Sequence, residues 1–281
     1  MSVGNIRVGG SGKTPVVAHL ARLLLDNGHR PSILSRGYGR RCSADGVTVV
    51  SDGQQVRADL RHAGDEPLML ARALSGVPIL VGANRYEAGL LAERRFGATV
   101  HLLDDGFQHV QLARTVDLVL VNEDDLTDRP LPAGRLREPI RNAAAADAIL
   151  VTADDEAIAG RISRALDVST AFRVVRSVEP PRTATPVLAV AGIARPERFF
   201  ADLHAAGWQV ADTLAFRDHH AFTRRDTEHI NAAAGANTIV TTEKDAVRLE
   251  ALTFDRPLVV VRLTAAIEPA DAFSSWLLAR L

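Results

Sequence analysis

The chain has 281 residues, 47% of them hydrophobic and 24% charged, which suits one large or two modest globular domains and excludes a disordered chain. With 33 Lys and Arg against 34 Asp and Glu, the net charge of -1 creates no overall field that recruits nucleic acid or an acidic membrane. The single cysteine, Cys42, excludes an internal disulfide framework and fits a reducing compartment, and no neighbouring side chain offers it a catalytic base.

The chain opens MSVGNIRVGGSGKTP. SVGNI reads as a short strand, and Gly9, Gly10, Ser11, Gly12, Lys13 and Thr14 follow it as a loop that wraps a nucleotide phosphate. Glycines let consecutive backbone N–H groups point at phosphate oxygens, and the next helix adds its positive end. In such a loop Lys13 reaches the β- and γ-phosphates and Thr14 ligates Mg²⁺. Arg7 stands where the full pattern has its first glycine. Pro15 suits the first helical turn, where a missing N–H is harmless. The spacing of Val17, Leu20 and Leu24 predicts a helix from Thr14 to Asn27, closed by Gly28.

Strands are predicted at 31–35, 47–50, 77–81, 99–104, 117–122 and 147–152, with helices at Pro67 to Leu74 and Arg85 to Phe96. This alternation is the mark of an α/β protein, a mostly parallel sheet flanked by helices. TVHLLDDGFQH runs an apolar strand into Asp104 and Asp105 before Gly106 turns the chain. An aspartate pair there is either a turn former or, beside a phosphate loop, the carboxylate support of a metal. Which of the two would touch the metal stays open. Phosphoryl transfer also needs an acceptor, a base and cations, and SRGYGRR (35–41), HAGDEP (62–67), LPAGRLREP (131–139) and FRDHHAFT (216–223) carry such groups. GDEP reads equally as a helix cap. The longest apolar runs, DLVLVN and LVVVRL, are of strand length and far short of a membrane span, and no signal peptide is present.

At 169–186 the texture changes to an extended segment followed by three prolines with polar spacers, which reads as a linker. A second alternation begins at PVLAVAGI: helix PERFFADLHAAG, strand QVADTLAF, helix RRDTEHINAAAG, strands NTIVTT and LVVVRL, and a terminal helix DAFSSWLLARL. The expected division is a phosphate-loop core over 1–175 and a smaller α/β domain over 176–281.

In order along the chain, VGNIRVGGSGKTP, SRGYGRR, GDEP, LLDDGFQH, LPAGRLREP, AGIARPERFF, FRDHHAFT and TTEKDAVRL closely resemble the tetraacyldisaccharide 4'-kinases, the lipid A 4'-kinase family. That family's loop also lacks the first glycine. The resemblance implies a P-loop NTPase-like core and a smaller C-terminal α/β domain, joined by an extended linker, with the substrate in the cleft between them. It implies an ATP- and Mg²⁺-dependent kinase that phosphorylates the 4'-hydroxyl of a tetraacylated glucosamine disaccharide 1-phosphate, giving lipid IVA in lipid A biosynthesis. Such an enzyme is expected as a monomer on the cytoplasmic face of the inner membrane, attached peripherally, with no nucleic-acid partner. The family usually carries a further N-terminal stretch, including an apolar helix that helps it sit on the membrane, and this chain starts after that point.

Matched by motif, the loop residues Gly9 to Thr14 fall on the nucleotide, and Thr14, Asp104, Asp105 and Glu138 on the metal. The resemblance implies that Lys13 is catalytic, that Asp65 is the base taking the hydroxyl proton, and that His219 is its partner from the second domain. His220 is the alternative; His219 is preferred because it directly follows Asp218. Tyr38, Gln108 and Arg137 fall among the residues that line the substrate. Three other readings fit less well. A partitioning-type switch ATPase places lysine where Val8 stands, TTEKD lacks the spacing of a guanine-reading N-K-x-D, and GGSGKT lacks the G-x-G-x-x-G of a dinucleotide fold.

Overall fold

The computed structural model describes residues 1–42, 46–153, 155–181 and 184–281. The first part of the chain runs β1 (Ser2–Asn5), α1 (Lys13–Asp26), β2 (Pro31–Ser35), β3 (Thr48–Asp52), α2 (Leu60–Ala63), α3 (Asp65–Ala73), β4 (Pro78–Val81) and α4 (Arg85–Phe96). It continues with β5 (Val100–Asp104), β6 (Asp117–Val121), β7 (Ala148–Thr152), α5 (Glu156–Leu166) and β8 (Ala171–Val178). Then come β9 (Val187–Ala191), α6 (Pro196–Ala205), β10 (Val210–Ala215), α7 (Arg224–Ala234), β11 (Thr238–Thr242) and α8 (Glu243–Leu249). The chain ends with β12 (Leu258–Val261), β13 (Leu263–Glu268) and α9 (Ala270–Leu278).

Two sheets result, in strand orders β13-β8-β7-β6-β1-β5-β2-β4-β3 and β10-β9-β11-β12. In the larger, every pairing from β8 across to β4 is parallel, and only the edge strands β3 and β13 run antiparallel. The smaller is parallel throughout. Central strands of such sheets are covered on both faces, which is why β1, β2 and β4 read as continuous apolar or small-residue runs and are buried at every position. The α/β class read from the sequence is the architecture observed.

Helix ends follow local chemistry. Gly12 takes φ 81° ahead of α1, a left-handed conformation that glycine adopts without strain, and the apolar stripe Val16, Val17, Leu20, Ala21 and Leu24 is buried. Asn84 caps α4 by accepting from the N–H groups of Tyr86 and Glu87, and left-handed Gly97 ends it.

The expected division at 175/176 needs correction. It cuts through β8, a strand of the large sheet, so the residues read as the start of the linker are core; residues 182–183 of the proline-rich part lie outside the described residues. More consequentially, the chain end returns to the first unit. LVVVRL is split at Arg262: β12 pairs with β11 in the small sheet, and β13 pairs antiparallel with β8 in the large one. Alternation of side chains marks a strand but not the sheet it joins, so a run of valines and alanines hid the crossing. Phe273 and Leu277 of α9 share one core with Val17, Leu20 and Leu24 of α1.

Phe273 is almost fully buried and meets Phe172 of β8 edge to face at 5.0 Å. Phe273→Ala should therefore destabilise the larger unit by about 3–5 kcal/mol in denaturant unfolding. A loss below about 1 kcal/mol would place α9 outside that core.

Candidate active site

Parallel pairing puts the carboxyl ends of β1, β5, β2 and β4 on one edge of the large sheet, where open α/β sheets bind ligands. The register of Val3 with Asp104 sets the phosphate loop beside the acidic pair. Val8 N–H donates to the Arg135 carbonyl, and beyond it the amides of Gly9 to Gly12 have no hydrogen-bond partner among the described residues. Unpaired, with Gly9 and Gly10 exposed and Ser11 buried, they can receive an anion. Arg7, where a glycine was missing, is buried and pairs with Asp125 at 3.2 Å and Asp128 at 3.0 Å. The position serves to anchor the loop, so a side chain is useful there.

Lys13 Nζ donates to Asn5 Oδ1 at 2.8 Å and lies 3.1 Å from Asp105 Oδ1. Asp105 also receives Arg137 NH1 at 2.9 and 3.0 Å. Burial works against its ionisation, but Lys13 and Arg137 outweigh that and hold the carboxyl below its ordinary range. Gln108 donates to the Asn5 carbonyl and to Glu138, accepts from Arg137, and Glu138 also receives Asn142. A cavity of about 630 Å³ opens beside Gln108, Arg137 and Glu138.

Asp104 is different. It is 4% exposed, and its side chain has no hydrogen-bond or ion-pair partner among the described residues. Burial, and then the charge of Glu66, push its pKa up to about 7 against the pull of Lys13. Of the carboxylates expected at a metal, this is the one with its oxygens uncommitted; Asp105 and Glu138 are engaged by side chains. Thr14 sits in the first turn of α1, and its side chain has no hydrogen-bond partner among the described residues.

The carboxyl edge of the small sheet supplies the opposite wall. His219, in the turn after β10, brings Nδ1 to 2.8 Å from Asp65 Oδ2 at the start of α3. Asp65 is 5% exposed. Burial would raise its pKa, but the His219 hydrogen bond and the charges of Lys244 and Arg248 outweigh it and hold it below the ordinary range. The Asp65 bond in turn raises the imidazole above its usual value. Tyr38, 74% exposed, packs its ring edge on His219 at 5.5 Å. His220 points elsewhere: it stacks on Phe216, and its Nε2 faces Asp226 at 3.1 Å. The two sheets also approach at Gly10, where an added Cβ would lie 3.2 Å from Ala194 Cβ.

The structure thus gathers Lys13, Asp105, Gln108, Arg137 and Glu138 in one network, and Asp65, His219 and Tyr38 in another. Asp104 feels the charges of both Glu66 and Lys13. Four contributors escaped the sequence reading: Asn5, Glu66, Lys244 and Arg248. Glu66 and Lys244 lay inside quoted phrases, GDEP and TTEKD, but no spacing rule links one helix start to another across two sheets.

Unpaired amides beside an uncompensated buried carboxylate can hold a phosphate group and its cation, and a hydrogen-bonded carboxylate next to them can take a proton. A protein built this way is a phosphotransferase of the P-loop class. The family profile described as LpxK, tetraacyldisaccharide-1-P 4'-kinase, matches residues 1–281. The chain is 42% identical over 265 residues to the tetraacyldisaccharide 4'-kinase of Geobacter metallireducens, covering 89% of this chain and 78% of that protein. It is 40% identical over 285 residues to the one from Koribacter versatilis, covering 97% and 85%. A crystal structure of LpxK from Aquifex aeolicus in complex with ATP matches it with a TM-score of 0.79 at 30% identity, over 99% of this chain and 87% of that one. The chain belongs to the tetraacyldisaccharide 4'-kinase family.

The shifts at Asp65 and His219 predict a stability window. His219, raised, adds stability that is complete below about pH 6.5 and is lost as pH climbs through its folded value; Asp65, lowered, adds stability that is complete above about pH 4 and is lost as pH falls through its folded value. The melting-temperature gap between wild type and His219→Ala should be widest between those limits and shrink on either side. A gap that stays constant from acid to alkaline pH would show that the pair is not ionic.

Proposed function

We propose that this chain transfers the terminal phosphoryl group of ATP to the 4'-hydroxyl of a tetraacylated glucosamine disaccharide 1-phosphate, giving lipid IVA for lipid A. The observation that supports it most is the bond from His219 of the smaller unit to buried Asp65, at the carboxyl edge of the sheet that also carries the phosphate loop. Donor and base stations therefore share one cleft.

The residues present suit Mg²⁺. Asp104 offers an uncommitted carboxylate and Thr14 a hydroxyl, and no cluster of three or more His, Cys, Asp or Glu side chains able to hold a metal occurs among the described residues. A hard cation of this kind is commonly held by one or two carboxylates, with substrate phosphates completing its shell. When bound, it would neutralise charge on the phosphates. Asp105 and Glu138 reach it only by giving up their present partners.

Lys13 is poised for the β- and γ-phosphates, whose oxygens would replace Asn5 and Asp105 around Nζ. Arg137, itself bonded to Gln108, holds Asp105 in place. Asp65 is ionised at neutral pH and accepts the proton of the 4'-hydroxyl as its oxygen bonds to phosphorus. His219 donates Nδ1–H to Asp65 and orients it. Because such transition states are loose, positioning and charge stabilisation outweigh base strength, and a carboxylate of low basicity suffices. The acceptor is a lipid, so the cleft works at a membrane surface, on the cytoplasmic face of the inner membrane. No helix of the described residues is long and apolar enough to cross a membrane.

The direct test incubates the purified chain with labelled ATP, Mg²⁺ and the tetraacyl disaccharide 1-phosphate in detergent, and looks for a doubly phosphorylated lipid. No transfer beside a working control enzyme would sink the assignment. In the same assay Lys13→Ala should lose on the order of 10²–10⁴ in kcat, the scale of a key electrostatic contact. Asp65→Asn, which keeps the shape but not the basicity, should lose roughly 10²–10⁴ as well. Wild-type turnover in Asp65→Asn would remove it from the role of base.

A further inference from the structure

One cation at the cleft has no part in the scheme above. Lys244 lies in the first turn of α8, next to a tightly built cap. Thr242 Oγ1 accepts from the Asp245 N–H at 3.0 Å and donates to Asp245 Oδ2 at 2.7 Å. Asp245, fully buried, also accepts from Gly192 N–H at 3.0 Å and Arg248 NH2 at 2.6 Å. With the helix start so fixed, Lys244 is aimed across the interface. Its Nζ lies 3.0 Å from Glu66 Oε1, 3.5 Å from Asp218 Oδ1, 3.4 Å from His219 Nε2 and 4.0 Å from Asp65 Oδ2. The side chain is only 16% exposed, so these contacts are poorly screened by water.

An ammonium carries three protons and no lone pair. It can hydrogen-bond to Nε2 only if that nitrogen bears the lone pair. The ring proton then sits on Nδ1, the atom that faces Asp65 Oδ2 at 2.8 Å. Ionised Asp65 can only accept, so it requires the proton at Nδ1, and the lysine at Nε2 reinforces that same form of the ring from the other side.

We propose that Lys244 is a positioning residue for phosphoryl transfer: anchored by Glu66 and Asp218, it donates to His219 Nε2 and so holds the imidazole in the tautomer that donates Nδ1–H to Asp65. The role in transfer rests on the kinase reading given above; the state of the ring does not. The charged groups around the ring come from three places. Asp65 and Glu66 belong to α3, Asp218 to the ring's own turn, and Lys244 and Arg248 to α8, where Arg248 Nε stands 3.8 Å from Asp65 Oδ2. Tyr38 confines the ring from the loop after β2. The carboxylates favour an imidazolium and Lys244 opposes it, so the lysine limits how far His219 is driven towards the charged form. Loss of Lys244 leaves Glu66 and Asp218 uncompensated beside the ring, which pushes in the same direction.

The test uses the full chain labelled with ¹⁵N-histidine, with the His219 signal identified from His219→Gln, and long-range ¹H–¹⁵N spectra taken across pH. Above its midpoint, wild-type His219 should show a protonated Nδ1 and a bare Nε2. In Lys244→Met the midpoint should rise, the tautomers should mix, and kcat should fall about 10- to 100-fold while the KM for ATP stays within about two-fold. Lys244→Arg keeps a cation facing the ring and should keep the midpoint near that of wild type. A wild-type ring protonated at Nε2 overturns the proposal without recourse to any variant. So does Lys244→Met with an unmoved midpoint and a kcat within about two-fold of wild type. A wild-type chain that phosphorylates no disaccharide overturns the kinase reading and the role in transfer with it. The spectra report the ring separately, so the two failures are told apart.

Discussion

A buried carboxylate must have its charge met, and Asp65 cannot meet it from its own unit. It opens α3 in the larger unit, yet the groups around its Oδ2, His219, Lys244 and Arg248, all come from the smaller one. Leaving such a group without its partners is strongly destabilising, on the order of 3–5 kcal/mol for a buried pair. The site and the interface are therefore the same object. The packing of α3 on α8 and the pairing of Lys244 with Glu66 follow from the need to surround one anion. Further contacts between the units, such as Arg72 with Glu250, sit on this frame at exposed positions, where ion pairs contribute little.

Much of the larger unit was legible because its signals are local. β1, the loop and α1 are one continuous phrase, and the conformations of Gly9 and Gly12 are ones that glycine alone adopts freely. The strand ending in Asp104 and Asp105 reads directly as an apolar run meeting a turn. Even the match of His219 with Asp65 was legible, although through resemblance to a family; nothing in the spacing of 154 residues separates His219 from His220. The structure does so by chain geometry. His219 takes φ 56°, a left-handed conformation that turns its ring towards α3, while His220 falls back onto Phe216 and Phe222.

What stayed illegible depends on the crossing of the chain between sheets. The return of β13 and α9 to the large sheet leaves no mark in composition, because the same short apolar alternation serves either sheet. Its consequence is mechanical: the smaller unit is bound to the larger by two strands of chain, β8 leading out and β13 leading back, and these pair with each other. TTEKD, set aside as a base-reading motif for its spacing, has a different use. Its acidic and basic pair resembles a base-reading motif, yet Asp245 is a structural cap and only Lys244 reaches the cleft.

The cleft finally assigns different work to chemically identical groups. Asp104 and Asp65 are both aspartates, both nearly inaccessible, and both placed at the carboxyl edge of one sheet. Burial, and then the charge of Glu66, push Asp104 up to about 7; Asp65 faces an imidazole, an ammonium and a guanidinium, which hold it down. Environments that drive two carboxyls apart in this way separate their roles. The one lacking a partner is the one a divalent cation would stabilise, since binding supplies the missing charge and releases the proton that burial retains. The one with partners is held in its ionised form by them and can receive a proton from a hydroxyl. Glu66 touches both halves of this division, since its charge raises Asp104 while its carboxylate holds Lys244. The adjacent residues Asp65 and Glu66 of GDEP thus act on both carboxyl environments from the first turn of α3.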